Sequence, residues 1–325
     1  MAFRRIAGGR GWAIWLRRAH VWTLIWVAMG AAAVYLLLPQ VAELQASLAS
    51  LEGVQPGWLA AGATLVALRY LLAAWSLHAA VGQPLPFGPT LLVQVSSAFI
   101  GRFTPEGVGW LVLNQRYLEQ AGLSRASALA ALSLKVLAGV IVRVLLMAAV
   151  AALVGTRGVF RLEVLDGASP YLLPILLGVG LIGSILGVAF GSAASRVMAP
   201  VVSGARDLAS VFRQPLRAAA LLGTSVGLPI SYALALAVSA KAFGVDVSVM
   251  DVFAVYLGGT AVAAASPTPG NVGAVEVALS AGLVAAGVPS GAAVAAVLLY
   301  RLLTFWLPLV PGFIAFRYVQ TRHHL

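Results

Sequence analysis

Apolar residues run along this chain in stretches much longer than the core-facing stripe of a soluble helix. Spans are read at roughly 21–39, 57–81, 126–154, 170–191, 215–241 and 289–316, each long enough to cross about 30 Å of hydrocarbon with some tilt. Between them lie two segments, 88–120 and 250–286, in which shorter apolar runs flank a break rich in Pro and Gly. The first break is Thr104-Pro105-Glu106-Gly107-Val108-Gly109 and the second is Pro267-Thr268-Pro269-Gly270-Asn271-Val272-Gly273. Each half is too short to span comfortably. A break in hydrocarbon frees backbone N–H and C=O groups, which survive only when buried in protein or lining a wet cavity. The pattern predicts an all-α, polytopic integral membrane protein with about six full spans and two re-entrant broken-helix hairpins; a proline kink, or a pair of short packed spans, is the alternative.

Charge placement supports that layout, because a re-entrant pair returns to its starting side whereas a kinked span inverts everything after it. With the arginine-rich N-terminus inside, the loop after the first span is outside and carries Glu43 and Glu52 without Lys or Arg. Arg116 and Arg125 then fall inside, as do Arg196, Arg206, Arg213 and Arg217, and the tail with Arg317 and Arg322. Residues 1–20 are read as a basic cytoplasmic segment, 21–317 as a single transmembrane domain and 318–325 as a cytoplasmic tail. The first apolar run exceeds a usual signal-peptide core and reads as a retained helix. Both termini are expected in the cytoplasm of a prokaryotic inner-membrane protein.

The two broken segments also align with each other. Thr104-Pro105 falls on Thr268-Pro269, Val108-Gly109 on Val272-Gly273 and, one residue out of step, Gly122 on Gly287. In each copy a half-helix, a turn and a long span follow, and about ten residues into that span sits a cation, Lys135 or Arg301. Three crossings between the breaks make the elements 88–154 and 250–316 an inverted repeat, the arrangement that points to a transporter site near the midplane.

Composition narrows the chemistry. The chain is 61% hydrophobic and 10% charged, with a mean hydropathy of +0.97, which leaves no separate soluble domain. Its net charge of +11 is scattered over short loops rather than gathered on one face, so nucleic acid is not implied. Cysteine is absent, which excludes disulfides and thiolate chemistry. His, Asp and Glu form no cluster at ligand spacing, so neither a metal nor another cofactor is expected. Trp12, Trp15, Trp22 and Trp26 fit an aromatic belt.

Five cations fall within or beside spans: Arg69, Arg102, Lys135, Arg143 and Arg301. The embedded acids are essentially Glu106 and Glu276, too few to neutralise them. Such charges are costly unless they face water, a partner or a ligand. One reading is a cavity that receives an anionic group, most plausibly phosphate, through Arg69, Arg102, Lys135 and Arg301. The other is snorkelling, which suits Arg143 near an interface, and structural pairing such as Glu276 with Arg301. Glu106 and Glu276 could also serve as proton or cation sites, or cap the second half-helix of each hairpin; Thr268 and Asn271 could bond the broken backbone. The loops offer no convincing catalytic set, so an enzyme is not expected.

The stretches Phe103-Thr104-Pro105-Glu106-Gly107-Val108-Gly109, with Gly122-Leu123-Ser124 downstream, and Pro267-Thr268-Pro269-Gly270-Asn271-Val272-Gly273-Ala274-Val275-Glu276, followed by Tyr300-Arg301 and Pro308, resemble a known family. It is the lysylphosphatidylglycerol synthase transmembrane region, the flippase half of the MprF proteins, also found as stand-alone membrane proteins. The family pattern has a glycine where Asn271 stands, and more usually a glycine at Glu106. The resemblance covers the chain from about the second helix to the end, and it adds Tyr300 to the candidate site. It implies lipid translocation between leaflets, without the aminoacylation of the missing soluble domain. The expectation is a lipid flippase-like transporter for an anionic or zwitterionic headgroup, phospholipid or polyprenyl-phosphate in type. The alternatives are a secondary transporter of a small anion and a non-transporting membrane partner of a lipid-modifying enzyme. A homo-oligomer is left open.

Overall fold

The computed structural model describes residues 45–46, 54–103, 108–155, 214–264 and 271–321, all within one compact unit, 44–325. The spans expected at 21–39 and 170–191 and the basic segment 1–20 lie outside the described residues, as do Thr104, Pro105, Glu106, Gly107, Pro267, Thr268, Pro269 and Gly270.

All regular structure among the described residues is helical. In chain order the helices are α1 (Pro56–Val81), α2 (Phe87–Phe103), α3 (Val108–Gln120), α4 (Arg125–Gly155), α5 (Pro215–Ala242), α6 (Val249–Ala263), α7 (Ala274–Ala285) and α8 (Ser290–Arg301), then a π-helical turn (Leu302–Trp306) and α9 (Leu309–Thr321). Four stretches are long and apolar enough to cross a membrane: Pro56–Val81, Arg125–Val150, Pro215–Ala242 and Ser290–Thr321. They coincide with expected spans, although α9 runs past the expected boundary at 317. The chain is a polytopic all-α membrane protein. Its surface is inverted relative to a soluble fold: Leu145, Val277, Val310 and Ile314 point outward at 62–71% exposure, while Thr90, Gln94, Ser97 and Asn114 are buried. Extensive outward aliphatic surface over buried polar side chains fits an apolar surrounding solvent.

Each broken segment folds back on itself. In the first, Thr90 meets Tyr117 (2.7 Å), Gln94 meets Asn114 (2.7 Å) and Asn114 meets Ser97 (2.8 Å), so advancing positions on α2 pair with receding ones on α3. The arms are antiparallel, and single kinked spans are excluded. The second segment packs likewise on α6 and α7, through glycines instead of polar groups. A Cβ at Gly259 would lie 2.8 Å from Leu279, and one at Gly282 would lie 2.7 Å from Val255. Small residues allow this backbone approach. Gly282→Leu is expected to wedge these arms apart and lower stability by about 1–3 kcal/mol through overpacking. Thermal unfolding in detergent measures this, and an unchanged midpoint would show that the arms do not depend on the close contact.

Gly122 and Gly287, paired by the sequence alignment, are structural equivalents. They sit at φ 94° and 88° just after α3 and α7, and each is followed by the same closing bond, Leu123 N–H to Leu118 C=O and Val288 N–H to Leu283 C=O, both 3.0 Å. This is the Schellman ending, for which a left-handed residue is required. Asn271 has φ 54°. Asn tolerates this left-handed conformation better than other non-glycine side chains, so it can stand where the resemblance implies glycine.

Helices α1 and α5 also run antiparallel. Arg217, in the first turn of α5, donates from Nε and Nη2 to the carbonyls of Ala79 and Ala80 at the end of α1 (both 2.6 Å), and Gly227 lies against Leu72 further back along α1. Arg217 thereby satisfies carbonyls that α1 itself leaves open. Each hairpin follows one of these two antiparallel helices in the chain, and the inner, break-side ends of α2 and α7 both reach the last span. The packing repeats between the halves: α1 packs on α2 and α4 as α5 packs on α6 and α8, and α4 lies on α6 as α9 lies on α2.

Candidate functional site

The inner ends of both hairpins meet at the π-helical turn of the last span. Its cause is legible in the chemistry of Pro308. Proline has no N–H and its ring displaces the carbonyl four residues earlier, so Thr304 C=O loses its helical donor. The local ladder widens instead, with Leu307 N–H reaching Leu302 C=O at 2.8 Å. Arg102, at the inner end of α2, fills the vacancy: Nη2 donates to Thr304 C=O (2.7 Å) and Nη1 to Ala98 C=O on its own helix (2.8 Å).

The second hairpin attaches one turn earlier. Glu276, in the first turn of α7, forms an ion pair with Arg301, the last residue of α8, and both side chains are largely buried. Phe305 joins the two attachments, with the guanidinium of Arg102 5.1 Å and that of Arg301 4.3 Å from its ring centre. Cations at this range are attracted by the ring's negative face.

Lys135 ties the first hairpin to its neighbours. Its ammonium donates to Ala73 C=O on α1 and to Gln94 Oε1 on α2, each at 3.1 Å, and lies 5.6 Å from the ring centre of Trp110 on α3. Lys135 and Arg301, matched by the sequence repeat, thus each bind the hairpin that precedes them. Arg143, for which snorkelling was the favoured reading, hydrogen-bonds Thr260 on α6.

Arg69 differs from all of these. It sits mid-way along α1 against the rings of Tyr70 (4.8 Å) and Tyr232 (4.9 Å), and among the described residues its buried Nε and Nη1 have no hydrogen-bond partner. The Tyr70 hydroxyl is within electrostatic reach of Arg69 and Arg102 yet makes no hydrogen bond of normal geometry, and it too is buried. Tyr232 stacks on Tyr256 (6.0 Å between ring centres) and meets Tyr300 edge-on (6.5 Å). Arg69 is also within electrostatic reach of Lys135. The structure therefore brings Arg69, Arg102, Lys135, Arg301, Glu276 and Tyr300 into one connected cluster. Gly109, Asn271 and Gly273 stand at the inner starts of α3 and α7; the other motif residues are outside the described set.

A family model, described as the lysylphosphatidylglycerol synthase TM region, matches residues 24–312. The chain belongs to that family. No curated protein matches it. Membership in the lysylphosphatidylglycerol synthase transmembrane family fits the polytopic helical fold and places the protein in a lipid-related membrane setting.

Sequence reasoning missed Tyr70, Tyr232, Tyr256 and Phe305. A signal for the tyrosines was present: in membrane helices Tyr concentrates at the interfaces, and these fall well inside their apolar segments. Tyrosines there mark a polar interior.

Proposed function

We propose that this chain moves the headgroup of an anionic or zwitterionic lipid between leaflets, with the headgroup passing the Arg69 cluster while the tails remain in the bilayer. The observation that carries the reading is Arg69, whose buried Nε and Nη1 lack hydrogen-bond partners among the described residues, beside the ends of the two hairpins. An intramembrane guanidinium left without acceptors is costly, and a headgroup phosphate supplies them. Three further features support it. The arms α2, α3, α6 and α7, of 12–17 residues, have lengths of about 18–26 Å at 1.5 Å per residue, short for a bilayer and suited to re-entrant hairpins. The antiparallel relation of α1 and α5 and the repeated packing fit an inverted repeat, the scaffold of many transporters. The loop charges favour a cytoplasmic N-terminus and tail.

The test is translocation of fluorescent phospholipids and of a polyprenyl-phosphate glycolipid in liposomes containing the purified chain. Protein-dependent movement of at least one class is expected, reduced about tenfold or more in Arg69→Gln, the loss of one charge-assisted interaction. Absence of movement for every lipid, with folding verified, rejects the reading.

A further inference from the structure

The charge balance of the cluster carries information about the headgroup. Arg301 and Glu276 offset each other. Arg69, Arg102 and Lys135 are within mutual electrostatic influence through Arg69, and no described carboxylate pairs with any of them. Arg102 and Lys135 have their donors directed at neutral acceptors, backbone carbonyls and Gln94. Neutral acceptors satisfy hydrogen-bonding needs without supplying negative charge. Glu106, within the first hairpin's break in sequence, can remove at most one unit. Among the described residues the cluster thus keeps a cationic excess that no carboxylate offsets, in a region shielded from water, where uncompensated charge is expensive.

A phosphodiester headgroup brings one negative charge and leaves a positive remainder; a zwitterion brings no net charge. A phosphomonoester brings nearly two at neutral pH, since its second ionisation lies near pH 6. We infer that the cluster is matched to a polyanionic headgroup, a lipid phosphomonoester or lipid diphosphate, with Arg69 as the group that touches it and Arg102 and Lys135 supplying field from their fixed positions. The inference rests on the lipid-transport reading for the class of cargo and goes further in choosing among headgroups by charge.

The experiment titrates the full chain in detergent with dihexanoyl phosphatidic acid, dihexanoyl phosphatidylglycerol and dihexanoyl phosphatidylcholine, which share their tails, and with farnesyl diphosphate. At pH 7.5 phosphatidic acid and farnesyl diphosphate are expected to bind at least tenfold tighter than phosphatidylglycerol, with phosphatidylcholine weakest. At pH 5 the phosphomonoester becomes a monoanion, and its advantage over phosphatidylglycerol should shrink to within about threefold. Arg69→Gln, if folded by thermal unfolding and size exclusion, should lose the preference. The wild-type comparison stands alone should that variant not fold. Equal affinity for phosphatidic acid and phosphatidylglycerol at pH 7.5, or an undiminished preference in folded Arg69→Gln, overturns the inference while leaving lipid transport intact. Tight selective binding of phosphatidic acid without movement of any lipid in vesicles instead overturns the transport reading and leaves the headgroup class standing.

Discussion

Replacing Arg301 by methionine is expected to lower unfolding stability by about 3–5 kcal/mol, the usual cost of leaving one member of a buried ion pair behind. Glu276 would be stranded in the first turn of α7, buried and without its counter-charge. Glu276→Gln should also destabilise, by orphaning Arg301. The informative variant is the double change, Glu276→Gln with Arg301→Met, because removing both charges also removes both desolvation penalties. It should recover much of the loss, so that the single effects are strongly non-additive. The check is a double-mutant cycle of thermal or denaturant unfolding in detergent. Additive losses would show that the pair does not hold the second hairpin to the last span.

A second cycle addresses the first hairpin. Arg102→Met leaves Thr304 C=O without its donor and is expected to cost about 1.5–3 kcal/mol, the range for a hydrogen bond from a charged group. In a Pro308→Ala background residue 308 regains an N–H that can serve Thr304 C=O within the helix, and the same Arg102→Met change should then cost less than half as much. Equal costs in the two backgrounds would mean that proline and arginine are not coupled. Pro308→Ala alone tests whether the π-helical turn is imposed by this residue: amide exchange should show the 302–307 backbone protected as a regular helix.

Much of the architecture was legible because the bilayer leaves few alternatives. Span lengths at α1, α4, α5 and α8–α9 followed from hydropathy alone, and the two hairpins from runs too short to cross. The equivalence of Gly122 and Gly287 was legible because the second arm of each hairpin ends on the same left-handed turn. The site was legible as charge but not as role. Arg69, Arg102, Lys135 and Arg301 look alike in sequence, and what separates them is how many donors find acceptors, which depends on Ala73, Gln94 and Thr304 from other helices. Nor does the sequence say that Pro308 opens a carbonyl for a residue roughly two hundred positions earlier, since that contact is set by tertiary packing.

The polar seam of the first hairpin bears on how the chain enters the membrane. Gln94 donates to Asn114, Asn114 donates to Ser97 and to the Trp110 carbonyl, and the Tyr117 hydroxyl meets Thr90. Delivered alone, either arm would bring unpaired amide groups into hydrocarbon. The arms satisfy each other only as a closed pair, so the favourable order of biogenesis is for α2 to wait at the insertion machinery until α3 has been synthesised, and for both to partition into lipid together.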